Sequence, residues 1–287
     1  MSHSLLRSIQ EKNGATYDPE DWLERLSQIG CVVEGSDEES IEIEVFPDRT
    51  DLLSHETMAR AARAFLDGES QEPTIATKDS GISLEVDSGL ESVRPIIMAA
   101  IVKGVNNGDT EEEKDQFIQS LMDHQEKLHF ALGGGRKRAS IGVHDLATIA
   151  PPFRVEAVNR QHSFIPLAME EEMTIDEILQ EHPKGVDYAH LLEGLDKVPI
   201  IFDSNDAVLS FPPIINGDHT TVTTKTRDLF IDVTGLDIRA CESALMLVCL
   251  QLSVLGGKIE SVRVTTCEGR EWNLDGSPIE HKVERSL

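Results

Sequence analysis

The chain has 287 residues, with 26 Lys and Arg against 52 Asp and Glu, a formal net charge of −26. That length allows two domains with sizeable cores, and that charge excludes a non-specific nucleic-acid binder, so any RNA contact must come from local basic clusters or other subunits. No apolar run reaches the roughly 18 residues of a membrane span, and no membrane partner is expected.

Residues 1–70 read as a small α/β module. Met1–Gly14 is polar and lacks the apolar core of a signal peptide. Asp18 is placed as an N-cap with Pro19 at the first helical position; Trp22, Leu23, Leu26 and Ile29 give the apolar face, and Gly30 closes the helix. Ile41–Phe46 alternates as a half-buried strand. Arg49 and Asp51 lie in a turn ahead of a helix running through Phe65. Residues 71–81, in a polar stretch carrying Gly, Ser, Pro and Asp, are expected to be a linker.

Residues 82–275 read as a larger mixed-sheet domain, with 276–287 as a tail. Ile82–Val86 and Ile96–Val105 are strands, the second nearly continuous in apolar residues and therefore central. Thr110-Glu-Glu-Glu113 is a capping box opening a long helix whose buried face is Phe117, Leu121, Leu128 and Leu132. Gly133-Gly-Gly135 ends it. Arg136-Lys-Arg138 then forms a dense basic cluster, either a solvated loop paired with nearby acids or a contact for a nucleic-acid backbone. His144 follows an apolar strand, where a lone histidine is more often a structural hydrogen-bonder than a base. Pro151–Val158 is another strand, and Thr174-Ile-Asp-Glu177 a second capping box.

Three apolar runs follow: Val198–Phe202, Ala207–Phe211 and Leu229–Thr234. Polar groups interrupt them. Ser210 sits between Leu209 and Phe211, Asn216 follows Ile214-Ile215, and Asp232 and Thr234 share one strand face. An unbonded buried Asp or Asn costs several kcal/mol, so either these groups satisfy each other or they are kept to bind something. Asp237 caps a helix apolar on nearly all sides, Gly256-Gly257 stops it, and Ile259–Thr265 is a last strand. Cys31, Cys241, Cys249 and Cys267 lack CxxC spacing, which favours a reduced cytoplasm without structural zinc. Repeats and GxxxxGK[ST], GxGxxG or HExxH motifs are absent. The fold class is α+β.

Ser210-Phe-Pro-Pro-Ile-Ile-Asn216 and Leu229-Phe-Ile-Asp-Val-Thr-Gly235 resemble the editing-domain core of the beta subunit of phenylalanyl-tRNA synthetase, archaeal/eukaryotic type. Gln125–His129, Ala139–Leu146 and Glu181–Glu193 are similar to other strings of that family. So is Pro47–Glu56, where Asp48 and Thr50 depart from the usual Pro-Asn-Arg-Pro-Asp-Leu-Leu-Ser. The resemblance covers nearly the whole chain and roughly the N-terminal half of such a subunit. It implies that the larger domain is an editing, tRNA-binding-like domain, that tRNA(Phe) and a synthetase alpha subunit (in an alpha2beta2 tetramer) are partners, and that a downstream module is missing. Nothing resembles the class II synthetase motifs, so ATP and Mg are implied only for the complete synthetase, and no cofactor or metal for this segment. The acidic excess, with Arg outnumbering Lys, suits high salt and a haloarchaeal origin.

A synthetase for phenylalanine must reject tyrosine, and an apolar pocket rejects an added hydroxyl by only about 10²-fold. A second site that must hydrogen-bond the hydroxyl discriminates by about 10⁴–10⁵. The resemblance implies that Asp232, with Ser210 or Thr234, recognises the misacylated tyrosine. Asn216 or backbone N–H groups would orient water or stabilise the oxyanion, giving Asp232, Thr234 and Asn216 as the catalytic set. Arg136, Lys137, Arg138 and Gln125 would contact tRNA. Two other readings stand beside this one. A tRNA-placement or assembly module without chemistry would show a polar set that satisfies itself. A metal hydrolase would use His144, Asp145, Asp218, His219 and Asp232, whose spacing fits no familiar ligand pattern.

Overall fold

The computed structural model describes residues 1–66 and 77–272. The N-terminal module opens with a helix that the polar sequence conceals, α1 (His3–Lys12), capped by Ser2. Its Leu6 and Ile9 are spaced one turn apart and are buried. Asp18 caps α2 (Pro19–Arg25) as expected, but the α-helix stops at Arg25 and tightens into a 3₁₀ turn over Leu26–Ile29. Gly30 leaves that turn at φ 91°, with Arg49 packed where a Cβ would be. Strands β1 (Cys31–Ser36) and β2 (Ile41–Val45) pair antiparallel, and α3 (His55–Leu66) covers them. Arg49 bonds Asp51 (2.9 Å) and the Ile29 carbonyl, which gives this pair the structural role expected of it.

The larger domain is built on one mixed sheet. Strand β3 (Thr77–Val86) begins inside the expected linker, because Ser80 bonds the Ser261 carbonyl at 2.6 Å and Gly81, at φ 71°, lets the strand bend without losing its partner. Residues 71–76 of that linker and 276–287 of the tail lie outside the described residues. There follow β4 (Ile96–Lys103), α4 (Glu111–Ala131), β5 (Ala139–Asp145), β6 (Phe153–Asn159), and the short pair β7 (Ser163–Phe164) and β8 (Met173–Thr174). Helices α5 (Ile175–Glu181) and α6 (Pro183–Tyr188) lead to β9 (Lys197–Phe202), β10 (Val208–Phe211), β11 (Ile215–Asn216) and β12 (Leu229–Gly235). Helix α7 (Ile238–Val254), β13 (Lys258–Thr265) and β14 (Glu271–Trp272) complete the described fold.

Both expected capping boxes form, at Thr110/Glu113 and Thr174/Glu177, and Asp237 caps α7. The strand order is β11-β10-β9-β6-β3-β13-β4-β12-β5, with β14 beside β13. The β3–β6 and β3–β13 pairs are parallel and the others antiparallel. Central β4 sends Met98, Ala100 and Val102 against α4 and α7, and Ile97, Ala99 and Ile101 into the opposite core, hence its continuous apolar run. Strand β5 ends the sheet.

The two parts meet through buried polar groups. Glu56 on α3 accepts from Ser120 Oγ on α4 (3.1 Å) and Gln251 Nε2 on α7 (3.0 Å), and Gln251 Oε1 meets His124 Nδ1 at 2.7 Å. Because the Gln251 oxygen can only accept, His124 is protonated on Nδ1 and carries no partner on Nε2. Burial lowers His124 from 6.5 to about 4 and His55 to about 3. It pushes Glu56 above the usual carboxylate range.

The signs differ. A histidine kept neutral by folding contributes stability fully present above 6.5 and lost as pH falls toward its folded value. Glu56 contributes below the ordinary 4.5 and loses it as pH rises through its raised value. Glu113 and Glu126, held at about 2, lose theirs only below 4.5. Chemical denaturation should therefore show stability falling between pH 6.5 and 4. The His124→Gln variant should flatten that slope by about 1.4 kcal/mol per pH unit, one proton's worth.

Candidate active site

The outward backbone groups of β5 have no further strand to pair with. Side chains meet them instead: Ile141 N–H donates to His129 Nε2 (2.8 Å), Gln125 Nε2 donates to Ile141 O (2.7 Å), and Asn216 Nδ2 donates to Val143 O (3.3 Å). In an antiparallel strand alternate residues turn both groups to the same side, so Val143 N–H also points outward. It carries no hydrogen bond to any described residue. Against this edge, between α4 and the 210–222 segment, lies a cavity of about 390 Å³. Its walls are largely apolar, with Ile118, Met122, Leu167, Pro212, Ile214 and Val222 among them. The polar groups reaching it include Asp232, Ser140, Ser210 and Asn216, with Glu126, Arg136 and Lys184 together at one side.

Asp232 is 1% exposed and lies opposite Gly142 on β5. A Cβ at Gly142 would land on Asp232 Oδ2 and 2.8 Å from His144 Nε2, so only glycine lets the carboxylate lie across the strand. His144, 0% exposed, holds that oxygen at 2.8 Å through Nε2 and meets Thr220 Oγ1 at 2.8 Å through Nδ1. Thr220 donates its proton to the Gly217 carbonyl (2.9 Å), so toward His144 it accepts and Nδ1 carries a hydrogen. Asp232 and His144 then share one further proton across their contact. Asp232 Oδ1 has no hydrogen-bond partner among the described residues, and Asp232 lines the cavity.

The structure brings Ser210, Asn216, Asp232, Gln125 and Arg136 to this cavity. Ser210 Oγ donates to Asn216 Oδ1 at 3.2 Å, across the β10–β11 pair. Thr234 does not reach it. It is 0% exposed, accepts from Arg94 Nε at 2.7 Å and contacts Ser140 Oγ at 3.0 Å. Arg94 is also buried and forms no ion pair among the described residues; burial lowers it to about 10 while the Asp232 charge acts the other way.

The basic cluster divides. The Arg136 backbone, at φ 68°, turns its guanidinium inward, where it bonds the carbonyls of Pro213 (3.2 Å) and Ile214 (2.9 Å), pairs with Glu126 (2.5 Å) and stacks on Tyr188. It is a structural tie, not a free phosphate contact. Gln125 is likewise committed to β5. Arg138 pairs with Asp237 at 2.7 Å, and Lys137 is exposed. His129 and Arg136 together hold Glu126 down to about 2.

The metal reading finds no support in the placement of its residues. Among the described residues no group of three or more His, Cys, Asp or Glu could hold a metal ion. His144 is taken by Asp232 and Thr220, and Asp145 by Ala147 and Thr226. No described helix is long and apolar enough to cross a membrane. Sequence reasoning passed over Ser140, Gly142 and Arg94. The small and polar alternation Ser140-x-Gly142-x-His144 within an apolar strand was the available signal.

Comparison with known proteins then gives a consistent answer. The model of the B3/4 domain matches residues 93–246. The phenylalanine–tRNA ligase beta subunit of Methanococcoides burtonii is 48% identical over 254 residues, 88% of this chain and 46% of that protein. That of Archaeoglobus fulgidus is 44% identical over 247 residues, 86% of this chain and 44% of that protein. The chain thus spans about half the length of the curated relatives it matches. The crystal structure of an N-terminal fragment of the phenylalanyl-tRNA synthetase beta subunit from Pyrococcus horikoshii superposes with a TM-score of 0.86 at 32% identity, covering 96% of this chain and 78% of that one.

The packing of Asp232 yields a direct test. Gly142→Ala should displace the carboxylate from His144 and cost about 1–3 kcal/mol of stability, measured by chemical denaturation.

Proposed function

The chain belongs to the phenylalanyl-tRNA synthetase beta-subunit family and carries its B3/4 domain, and on that premise we propose that the cavity is a hydrolytic editing site for mischarged Tyr-tRNA(Phe). The observation that carries this reading is a buried carboxylate, held from behind by a histidine, with its second oxygen turned to an apolar cavity beside an unpartnered backbone N–H.

The slot's apolar walls take the aromatic ring, and Asp232 Oδ1 accepts from the phenolic hydroxyl. Phenylalanine would leave that oxygen buried without a partner, the arrangement that discriminates most strongly against a missing hydroxyl. Water adds to the ester carbonyl. Val143 N–H, and Asn216 Nδ2 with the hydrogen not used on the Val143 carbonyl, would donate to the oxyanion that forms. Collapse breaks the bond to the ribose oxygen, which takes a proton, and releases tyrosine. The aminoacyl ester is already activated, so no strong base is required of the protein. His144 is a positioning residue acting through Asp232.

The reading as an assembly module draws on the Ser210–Asn216 pair, which does satisfy itself. It is less favoured because Asp232 is held by a side chain and not by backbone donors, and keeps one oxygen open. The tRNA reaches the site with little help from the charge of the chain. Lys137 is exposed beside Arg136 and Lys184 stands half-buried at the rim, and the alpha subunit is proposed to hold the rest. Cytoplasmic translation in a haloarchaeon fits the acidic surface.

Hydrolysis of Tyr-tRNA(Phe) and Phe-tRNA(Phe) by the chain in molar KCl tests this, alone and with the alpha subunit added. Tyrosine should be released and phenylalanine spared, and Asp232→Ala should lower tyrosine release by about 100-fold or more. Wild-type release by that variant would remove Asp232 from the site, and no release by the wild type even with the alpha subunit would return the domain to an assembly role. A melting temperature that climbs steadily with KCl would support the halophilic reading, and a salt-indifferent one would remove it.

A further inference from the structure

Cross-strand pairing sets Thr234 opposite Ser140 and Asp232 opposite Gly142, so all four share one face of the β12–β5 ladder. Arg94 anchors the far end of that row. Its Nε donates to Thr234 Oγ1 (2.7 Å), and its Nη2 is shared among the carbonyls of Thr234 (2.7 Å) and Arg136 (2.9 Å) and the Ser140 hydroxyl (3.0 Å). A guanidinium only donates, so both hydroxyls accept from it. Thr234, fully buried, has Ser140 as the acceptor left for its own proton, at 3.0 Å. Ser140 therefore receives from both neighbours and keeps its proton for the cavity that it lines.

We infer that Ser140 is a specificity residue that donates to the substrate's phenolic oxygen while Asp232 accepts from it, and that Arg94 and Thr234 are the positioning residues that aim it. The inference rests on the editing reading above and adds a donor to it. Two fixed relays converge on one hydroxyl. Thr220–His144–Asp232 ends in an acceptor, and Arg94–Thr234–Ser140 ends in a donor. A phenolic oxygen has a proton to give and lone pairs to receive with, and this pair of groups uses both. A hydrogen in the same place leaves both unpaired. Thr234, from which sequence reasoning expects direct recognition, acts one residue behind it.

The test is steady-state hydrolysis of Tyr-tRNA(Phe) and Phe-tRNA(Phe) by the wild type, Ser140→Ala, Ser140→Thr and Thr234→Val, in the chain with the alpha subunit present. Ser140→Ala should raise KM for the tyrosyl ester about tenfold, leave kcat nearly unchanged, and leave the phenylalanyl ester unaffected. Ser140→Thr, which keeps the hydroxyl, should restore KM. Thr234→Val keeps shape but removes the relay, and should move KM in the same direction by less. If Ser140→Ala fails to fold, as read by its melting curve, Thr234→Val carries the test alone. Wild type active with an unchanged tyrosine-to-phenylalanine ratio in Ser140→Ala (or, if that variant is unfolded, in Thr234→Val) overturns the role of Ser140 and leaves editing standing. Wild type inactive on both esters overturns editing, and this inference with it.

Discussion

A sheet must end somewhere, and the outward N–H and C=O groups of its last strand must be met by something. Here that strand is β5, and side chains from α4 and β11 meet it where another strand could have. The cavity follows from this choice. A further paired strand in that place would have filled the space with backbone; His129, Gln125 and Asn216 bond the edge at intervals and leave room between them. The same choice leaves the Val143 donor facing the hollow. Edge strands are usually blunted against association, and this one is blunted by the wall of a pocket.

Charge is handled in two ways within a few residues. Asp232 is buried with a histidine that can share its proton, while Arg94 is buried with hydroxyls and carbonyls and no carboxylate. A buried ion left without such partners would be strongly destabilising. The Asp232 charge also favours the charged form of Arg94. On the surface the acid excess is spread over helices and loops, where solvent salt screens it.

What was legible in the sequence was local. The capping boxes at Thr110 and Thr174, the Asp237 cap and the apolar run of β4 each depend on residues a few positions apart, and each forms. Helix α1 was missed because its buried face is narrow, and Lys12, Gln10 and Glu11 dilute the pattern. The site was half legible. Polar residues inside apolar runs marked Ser210, Asn216 and Asp232. Their partners were out of reach, because the register that sets Asp232 against Gly142 joins positions far apart in the chain. The three adjacent basic residues looked alike in one dimension. A single left-handed residue, Arg136 at φ 68°, sends one of them inside and leaves the other two out.

That inward guanidinium has a mechanical consequence. Its planar fork fixes the carbonyls of Pro213 and Ile214 on one side and Glu126 of α4 on another, with the Tyr188 ring beneath. The roof of the cavity and its helical wall are thus joined through one planar group. The width of the slot is therefore set at this point by one side chain that touches both of its sides.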